Sequence, residues 1–520
     1  MPFRSPYPDI HIPERALTDV VLAAAHEHAA DAALVDGITG RVLTFGGLLD
    51  QVRRVAAGLA ALGIRKGDVV ALCSPNSPEF AVVFHAIARI GAIVTPANPA
   101  NTSHELAFQL TDSDATLLVT TAALVDRARA AIEETGRSIE LITMDDAEGV
   151  RSLASISRDA EPPAVAIDPV MDVVALPYSS GTTGLPKGVM LTHRNLVANL
   201  VQLDAVEHPD LRALIGVLPF FHIYGMVVIM NFGLMRGATI VTMPRFEFEP
   251  FLKVLQDWPI ALAHIVPPVA VALAKHPVVD NYKLSHLKWL LCAAAPLGAE
   301  VTDAVQRRLN VTLRQAYGMT EASPATHFTG PDANRAGKVG PLVPLTECRV
   351  VDPESGHDLP AGQPGEVWVR GPQVMKGYLK NPEATARTVD SDGWLHTGDI
   401  GFVDDDSYLT VVDRLKELIK VKGYQVAPAE LESLLLKHPH IADVAVIPVA
   451  DDDAGEVPKA IVVARGPLTA DDVMAFVHRE VAHYKRIRHV AFVDAIPKSA
   501  SGKILRRVLV EQERAARRLT

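Results

Sequence analysis

Apolar and polar positions in the first third of the chain alternate between helix and strand patterns. Apolar residues recur on one face between Thr44, a suitable N-cap, and Gly63, a suitable stop, which predicts a helix. Asp68–Cys73 then predicts a buried strand, Ser77–Gly91 a helix, and Ala92–Asn98 the next strand. Repeated strand–helix–strand units are typical of an α/β protein with a parallel, doubly wound sheet.

The pattern changes in the last third of the chain. Between Asp352 and Leu409, apolar and polar residues alternate among glycines and aspartates, which predicts a small antiparallel β unit. The remaining pattern predicts a small α+β domain with these elements: helix Pro428–Leu436, strand Asp443–Val449, strand Lys459–Val463, helix Ala470–Val481 and strand Val490–Val493. We therefore expect two domains, 1–415 with large doubly wound sheets plus the β unit, and 416–520.

Composition fits this division and excludes some classes of protein. The chain has 520 residues, whereas single cores stop growing near ~250–300 residues. Its 48% hydrophobic and 21% charged residues are ordinary for a soluble protein. The net charge of −11 argues against nucleic acid or an anionic membrane as the main partner. The three cysteines are widely separated without metal-ligand spacing, which indicates free thiols in a reducing compartment.

Two segments bear on localisation. The N-terminus carries prolines and acids where a signal peptide needs an apolar run. Ala213–Met235 carries no formal charge, but Pro219, His222, Gly225 and Asn231 interrupt it, so it predicts a buried strand running into a loop rather than a membrane span. We expect a cytoplasmic protein.

One glycine-rich stretch suggests anion binding. Tyr178–His193 reads YSSGTTGLPKGVMLTH. Glycines let several backbone N–H groups point toward one anion, and Lys187 adds an ammonium group. The order Pro186–Lys187–Gly188 is not that of a Walker loop. The segment therefore indicates a phosphate loop of another kind, with a solvent-exposed glycine turn as the alternative.

Other polar groups follow in an order that suits a nucleotide. Thr320 and Glu321 come just after a predicted strand, where a hydroxyl and a carboxylate can meet phosphate and Mg²⁺. Asp399 falls at a predicted turn, where it can accept both hydroxyls of a ribose. Basic residues follow at Arg414, Lys416, Lys420, Lys422 and, on a second glycine–serine loop, Lys503. Each alone is typical of a solvated surface; their combination indicates a nucleotide site.

Together these segments resemble the adenylate-forming superfamily of acyl-CoA synthetases, adenylation domains and firefly luciferase. The segments LPFFHIYGM, AAAPLG, QAYGMTE and KGYQVAPAELE are most similar to bacterial 4-coumarate–CoA ligases. The resemblance implies that a carboxylate attacks the α-phosphorus of ATP, releasing pyrophosphate, and that CoA then displaces AMP from the acyl-adenylate. It implies ATP and CoA as substrates and Mg²⁺ as a cofactor.

The resemblance also implies roles for individual residues. Catalytic roles fall to Lys503, Thr320, Glu321 as the Mg²⁺ ligand, and His222 as a gate beside the carboxylate. Contacts to ATP or AMP are implied for Ser179, Ser180, Gly181, Thr182, Thr183, Gly184, Lys187, Ala294, Gln315, Ala316, Tyr317, Thr320, Asp399, Arg414, Lys416, Lys420, Gln425 and Lys503.

The small domain is implied to be mobile. Relatives rotate it around the position that matches Lys416 between the two steps, which moves Lys503 away. That rotation brings Lys422 and Gly423 to CoA, and Arg245 lies where relatives often carry a base for the CoA phosphates.

The sequence indicates the residues of the acyl pocket less specifically than those of the nucleotide site. An isolated histidine in an apolar run, such as His222, is usually a hydrogen-bonded core residue, whereas the resemblance makes it part of the site. The implied wall comprises His222, Tyr224, Val266, Pro268, Ala294, Ala316, Met319, Ser323 and Pro324. For several of these residues, core packing is the alternative interpretation.

The chain departs from the family pattern at two alanines. Relatives often carry glycine within the segment Ala293–Ala295 and at Ala316. Each added methyl group narrows the cleft or shifts the backbone beside the adenylate. This leaves open an enzyme that carries out only the thioester step on a supplied adenylate.

Three further classes of protein share parts of this pattern. A carrier-protein-loading adenylation enzyme usually has an aspartate near LPFFHIYG, and this chain has none there. A luciferase-like oxygenase is compatible with the same scaffold. A non-catalytic nucleotide-binding protein is disfavoured by the presence of Glu321, Asp399, Arg414 and Lys503. The acid itself is expected to be an aryl-propenoate, a fatty acid or a polycyclic natural-product acid, and the protein a monomer or homodimer.

Overall fold

The computed structural model describes residues 2–179, 186–207, 211–331, 335–422, 424–451, 454–499 and 502–518. Two large sheets, flanked by helices, form its main body. The first runs in the order Tyr178–Ser179, Lys187–Thr192, Val173–Ala175, Ile93–Ala97, Val69–Cys73, Leu117–Thr120, Glu140–Thr143 and Arg151–Ser152. The second runs in the order Ala325–Phe328, Thr312–Gly318, Trp289–Cys292, Leu262–Ile265, Ala213–Gly216, Thr239–Thr242, Ala32–Asp36 and Val42–Thr44.

The predicted parallel sheet is confirmed in the region that the pattern covered. Val69–Cys73 pairs in parallel with Ile93–Ala97, and all five residues of the first strand are buried. The helix Phe45–Ala61 begins where expected, with the Thr44 hydroxyl accepting a hydrogen bond from the Gly47 N–H. Apart from the helical segments within 213–235, the other described α-helices of this body are Leu17–Val21, Pro78–Arg89, Ser103–Asp112, Val125–Thr135, Leu153–Ile156, His193–Asp204, Phe248–Asp257, Pro267–Lys275, Ala299–Leu309 and Pro382–Thr388.

The uncharged segment Ala213–Met235 differs in part from the expectation. The predicted strand is present at Ala213–Gly216, but the expected loop soon becomes helical, over Tyr224–Asn231 and then Phe232–Met235. Gly225 permits this turn, because a Cβ there would lie 2.2 Å from the Pro219 carbonyl oxygen. The helix is buried, as predicted. No described helix has the length and apolar character that a membrane crossing requires.

The small antiparallel sheet is wider than predicted. It runs in the order Phe3–Arg4, Glu347–Val351, Gly365–Arg370, Leu395–Val403 and Leu409–Arg414. Its edge strand comes from the N-terminus, where Phe3 pairs opposite Cys348, a partner that local patterning cannot indicate. Gly377–Tyr378, which we expected within this unit, instead pairs with Lys187–Thr192 of the first large sheet.

The C-terminal part has its own sheet and core. The strands Tyr424–Val426, Ile419–Val421, Gly455–Ala464 and Ile441–Asp451 follow one another, and His489–Phe492 pairs in parallel with Gly455–Ala464. Among the described residues, the α-helices Pro428–Leu435, Ala470–His478 and Arg506–Arg518 accompany them. The first hairpin and the last helix were not predicted. Leu409–Arg414 belongs to the preceding sheet and Ile419–Val421 to this one. The domain boundary at 415/416 stays a prediction.

Candidate active site

The predicted phosphate loop is anchored at both ends. Tyr178–Ser179 and Lys187–Thr192 pair as the two arms of an antiparallel hairpin. The Tyr178 hydroxyl donates to Asp112 Oδ2 at 2.6 Å, and the Lys187 ammonium lies 4.9 Å from the centre of the Tyr378 ring. The predicted phosphate ligands Ser180, Gly181, Thr182, Thr183 and Gly184 lie outside the described residues.

The Ser179 hydroxyl has no hydrogen-bond partner among the described residues. Its Oγ is buried. Buried hydroxyls in folded proteins almost always have a hydrogen-bond partner. A phosphate oxygen is a suitable acceptor at this end of the loop.

Glu321 lies on the short 3₁₀ turn Thr320–Ala322, directly after the strand Thr312–Gly318. The turn is possible because residue 318 is glycine: a Cβ there would lie 2.1 Å from the Pro324 carbonyl oxygen. The Glu321 carboxylate is buried, and its Oε1 accepts a hydrogen bond of 2.8 Å from the Tyr378 hydroxyl. Tyr378 therefore connects the predicted metal ligand to the lysine of the phosphate loop.

Asp399 lies inside the strand Leu395–Val403, so our expectation of a turn at this position was wrong. Cross-strand pairing places it opposite Arg414, whose Nε is 3.2 Å from Asp399 Oδ1. The Tyr317 hydroxyl donates to Asp399 Oδ2 at 2.6 Å. Burial and the adjacent Asp399 carboxylate raise the pKa of Tyr317, so its hydroxyl stays protonated as a donor. The tertiary fold thus joins three residues that sequence analysis assigned separately to a nucleotide.

Gln315 and Ala316 lie on the strand that leads to Tyr317. Gln315 is buried and donates from Nε2 to the Leu297 carbonyl at 3.3 Å, whereas Ala316 is half-buried. Ala294 is exposed just after the neighbouring strand Trp289–Cys292, with a φ of 77°. Since these strands are parallel neighbours, residues at their carboxyl ends share one edge of the sheet.

Lys503 reaches this edge from the C-terminal part. Burial, with Arg414 nearby, lowers the pKa of its ammonium group, while Asp399 and Glu417 act in the opposite direction. The preceding Gly502 packs on the large body: a Cβ there would lie 3.1 Å from Val266 Cγ2 and 3.4 Å from Pro268 Cδ. The structure therefore places the backbone before Lys503 against two predicted acyl-pocket residues, with the Lys503 ammonium in electrostatic range of Asp399 and Arg414.

The remaining predicted acyl residues have different environments. His222 Nδ1 accepts a hydrogen bond of 3.3 Å from the Tyr224 N–H, so neutral His222 carries its proton on Nε2. Burial lowers the pKa of His222 to about 4. The Tyr224 hydroxyl donates to the Leu291 carbonyl at 3.1 Å, and this side chain is almost fully buried. Met319 is half-buried, whereas Ser323 and Pro324 are buried.

Several residues predicted to contact ATP or AMP (Lys416, Lys420 and Gln425) or CoA (Lys422 and Arg245) lie at the surface. Lys420, Lys422 and Gln425 are exposed on the hairpin of Ile419–Val421 and Tyr424–Val426. Arg245 is exposed and forms an ion pair with Glu247. Lys416 is also exposed, and Gly423 lies outside the described residues. The structure therefore groups Lys503, but not this hairpin, with the Asp399–Arg414 pair.

Sequence reasoning missed Tyr378, Tyr178 and Asp112. The two tyrosines each donate to a carboxylate beside the predicted phosphate loop, as Tyr317 does at the predicted ribose site. An aromatic residue after a glycine in an alternating segment is typical of many strands. No local signal distinguishes Tyr378 from an ordinary core residue, because its partners come from two other parts of the chain.

The chain combines two large α/β sheets, a small antiparallel sheet that carries Asp399 and Arg414, and a C-terminal unit that carries Lys503, so its candidate nucleotide residues are distributed over several parts of the fold. The chain belongs to the AMP-binding enzyme family: the model of that family matches residues 21–379, and the model of the AMP-binding enzyme C-terminal domain matches residues 430–503. It is thus an adenylate-forming, ATP-dependent acid–thiol ligase of the acyl-CoA synthetase branch.

Three relatives illustrate this membership. The chain is 46% identical to 4-coumarate–CoA ligase 5 of Oryza sativa subsp. japonica, over 98% of this chain and 96% of the relative. ATP-bound MatB from Rhodopseudomonas palustris superposes with a TM-score of 0.86 at 30% identity, over 96% and 99% of the two chains. The anthranilate CoA ligase AuaEII in complex with anthranoyl-AMP gives 0.88 at 26% identity, over 97% and 98%. The first of these relatives is a plant protein. The particular similarity to bacterial 4-coumarate–CoA ligases, expected from the sequence, stays a prediction.

Proposed function

We propose that this ligase converts an aryl-propenoic acid of the 4-coumarate class to its CoA thioester. In the first step, a carboxylate oxygen attacks the α-phosphorus of ATP, the bond to the bridging oxygen breaks, and pyrophosphate leaves. In the second step, the CoA thiolate attacks the acyl carbon and AMP leaves. The observation that carries the catalytic part is the packing of Gly502 against Val266 and Pro268, which leaves the adjacent Lys503 ammonium in electrostatic range of Asp399 and Arg414.

Each residue near the predicted nucleotide has a role suited to its chemistry. Asp399, fixed by Tyr317 and Arg414, would accept the ribose hydroxyls. Lys503 would stabilise negative charge that develops on the reacting carboxylate and α-phosphate oxygens, a type of contribution that is usually large. Lys187 and the adjoining loop would hold the β- and γ-phosphates.

The donor set also fits Mg²⁺. Glu321 supplies a buried carboxylate and Thr320 a hydroxyl, both hard oxygen ligands. Within the described residues, no cluster of three or more His, Cys, Asp and Glu side chains is present. Mg²⁺ commonly binds through one or two carboxylates together with substrate phosphates, so Glu321 would hold the ion against the nucleotide. The ion would neutralise phosphate charge.

The choice of an aromatic acid rests on two findings. The 46%-identical relative is a 4-coumarate–CoA ligase, and AuaEII binds an aromatic acyl-adenylate. Val266, Pro268 and Met319 offer apolar surface, and neutral His222 offers an Nε2–H donor for a carboxylate. No acid is present in the segment 217–226, where the ammonium group of an amino-acid substrate would need a partner.

A test of this function uses purified protein with ATP, Mg²⁺ and a panel of 4-coumarate, other aryl-propenoic, medium-chain fatty and polycyclic acids. Mass spectrometry follows acyl-AMP and acyl-CoA, with and without CoA. We expect acyl-CoA and AMP with 4-coumarate at the highest kcat/KM. Preference for a fatty or polycyclic acid by tenfold or more would contradict the proposed substrate class.

A second candidate function is thioesterification of an adenylate made elsewhere. It is favoured by the methyl groups of Ala293 and Ala316, both half-buried beside the predicted adenylate position. The same assay distinguishes it: no acid of the panel would give acyl-AMP, whereas supplied coumaroyl-AMP would give acyl-CoA. Ala293→Gly and Ala316→Gly would then be expected to restore adenylation.

A further inference from the structure

Tyr378 lies between two elements of the predicted phosphate site. Its hydroxyl donates to Glu321 Oε1 at 2.8 Å, and its ring centre is 4.9 Å from Lys187 Nζ. The side chain is buried, with 7% of its surface exposed. One aromatic residue therefore contacts both the carboxylate proposed to hold Mg²⁺ and the cation proposed to hold phosphate.

The backbone of Tyr378 is fixed from two sides. It pairs with Val189 in the strand that begins at Lys187, and the Leu379 N–H donates to the Gly188 carbonyl at 2.8 Å. On the other side, the Tyr378 N–H donates to Thr385 Oγ1 at 2.9 Å. The ring therefore lies in a fixed position relative to the phosphate hairpin.

The backbone of Glu321 is joined to the same segment. Its carbonyl accepts a hydrogen bond of 2.8 Å from the Met375 N–H, three residues before Tyr378. Glu321 thus has a backbone contact and a side-chain contact to the segment 375–378. With Oε1 held by the phenol, the other carboxylate oxygen is left in a defined direction.

Ordinary core packing also places buried tyrosines near an acceptor. Packing alone, however, does not require that the acceptor be Glu321 or that the ring lie against the Lys187 ammonium. We infer that Tyr378 is a positioning residue for adenylation, which holds Glu321 and Lys187 at a fixed separation across the nucleotide phosphates. This inference rests on the proposed function, since it assigns Glu321 to Mg²⁺ and Lys187 to phosphate.

Two substitutions test the contributions of the Tyr378 hydroxyl and of its ring separately. Tyr378→Phe removes the hydrogen bond to Glu321 but keeps the ring under Lys187, whereas Tyr378→Leu removes both. Tyr282→Phe is the matched control, because the Tyr282 hydroxyl lies 3.5 Å from the Glu249 carboxylate at an exposed position. Hydrogen bonds to charged groups are worth enough to change an affinity by about tenfold or more.

For Tyr378→Phe we expect the Mg²⁺ concentration that gives half-maximal pyrophosphate release to rise about tenfold. Thioesterification of supplied acyl-AMP should change less than about twofold. Tyr378→Leu should in addition raise the ATP dissociation constant about threefold, in keeping with loss of a cation–π contact. Tyr282→Phe should match the wild type in all three measurements.

A binding measurement makes the test independent of turnover. Mn²⁺ binding in the presence of ATP, without any acid, is followed by electron paramagnetic resonance, and Tyr378→Phe should weaken it about tenfold. Unchanged Mn²⁺ affinity in Tyr378→Phe would overturn the inference. Equal loss of both half-reactions with a lowered thermal midpoint would also overturn it, by showing a merely structural role.

The experiments distinguish failure of the proposed function from failure of the inference about Tyr378. If the wild type converts no acid of the panel, the substrate proposal fails, but Mn²⁺ and ATP binding still compare Tyr378→Phe with the wild type. If the wild type turns over normally and the variants bind Mn²⁺ normally, only the inference about Tyr378 fails.

Discussion

The two parts of the molecule hold their shares of the proposed active site in different ways. On the large body, Asp399 is bound by Tyr317 and Arg414, and Glu321 by Tyr378, all on or beside paired strands. The small C-terminal unit contributes Lys503 on an irregular loop, which meets the large body through Gly502.

The described connections between the two parts are both apolar and polar: Leu418 and Ala427 form a small apolar cluster with Ile400, and several polar contacts accompany it. Lys275 Nζ donates to the Leu436 carbonyl at 2.8 Å, Lys437 pairs with Glu300 at 2.7 Å, and Asp413 accepts the Ala429 N–H at 2.8 Å. Exposed ion pairs contribute only ~0–1 kcal/mol each. One half of the site is preorganised on the large body, whereas the other half would move with the small unit in the rotation that the resemblance implies. Substitutions at Asp399, which is proposed to bind the ribose in both steps, should therefore affect both half-reactions, whereas those on the small unit should affect only one.

The largest expected effect comes from Lys503→Ala. We expect adenylation to fall by about 100- to 1,000-fold, the range seen when one stabilising donor is removed from an oxyanion site. Thioesterification from supplied acyl-AMP should stay within about threefold, because Lys503 would not serve that step. Pyrophosphate release and acyl-CoA formation measure the two steps separately. Lys498→Ala, in the same loop and paired with Asp443, is the control; equal loss of both steps in Lys503→Ala would refute the assigned role.

Asp399→Asn tests the preorganised half. The substitution removes a charge that Arg414 and the Tyr317 hydroxyl both contact, leaving Arg414 without its opposite charge. Because AMP is bound in both steps, we expect kcat/KM to fall about tenfold or more for ATP and for supplied acyl-AMP alike. An effect on adenylation alone would contradict the contrast between the two parts.

Lys422→Ala tests the exposed hairpin of the small unit. Lys422 is at the surface in this arrangement of the two parts, so adenylation should change less than about twofold. If rotation brings this hairpin to CoA, thioesterification should fall about tenfold, mainly through KM for CoA. Loss of adenylation would instead show that Lys422 acts without any rotation.

Acid should weaken the large body more than the small unit. Burial lowers the pKa values of His85, His264 and His327 to about 3, against ~6.5 in an unfolded chain. The unfolded state therefore binds more protons below about pH 6.5, and stability present above that pH is lost as the pH falls toward 3. The slope is about 1.4 kcal/mol per pH unit for each such group. The described histidines of the small unit are half-buried or exposed.

All four tryptophans lie within residues 258–394, so their fluorescence reports on the large body. Between pH 7.5 and 5.5 its thermal midpoint should fall. His85→Gln should reduce that pH dependence, and the exposed His489→Gln should not. If the thermal midpoint depended on pH equally in the wild type, His85→Gln and His489→Gln, the loss of stability in acid could not be assigned to buried histidines.

The smallest predicted effect concerns backbone strain beside the predicted adenylate position. Ala294 has a φ of 77°, a left-handed conformation that costs a non-glycine residue about 1 kcal/mol or more. Ala294→Gly should therefore raise the free energy of unfolding by about 1 kcal/mol, measured by urea titration of tryptophan fluorescence. Ala295→Gly, at a neighbouring position without positive φ, should lower it by about 0.5–1 kcal/mol. A change of the same sign in the free energy of unfolding for both variants would contradict backbone strain at Ala294.

Many of the secondary-structure elements and the chemical groups of the candidate site can be predicted from local sequence. Apolar periodicity and caps such as Thr44 specify helices and strands locally, and segments such as QAYGMTE carry their residues in one short stretch. The family, the two-domain α/β plan and the nucleotide chemistry followed from these local features. The placement of Asp399 at a turn failed because glycine–aspartate segments are typical of turns, whereas here cross-strand pairing with Arg414 extends the strand through them.

Which residues meet one another depends on the folded chain as a whole. Phe3 pairs with Cys348, and the Tyr378 hydroxyl donates to Glu321. Lys503 lies in electrostatic range of Asp399. The residues of each pair are far apart in the sequence. Such contacts depend on strand order and on how two domains pack, and neither is encoded in the periodicity of a single segment. The groups proposed to bind a nucleotide can therefore be predicted from the sequence, whereas the tyrosines that contact them are identified only in the folded protein.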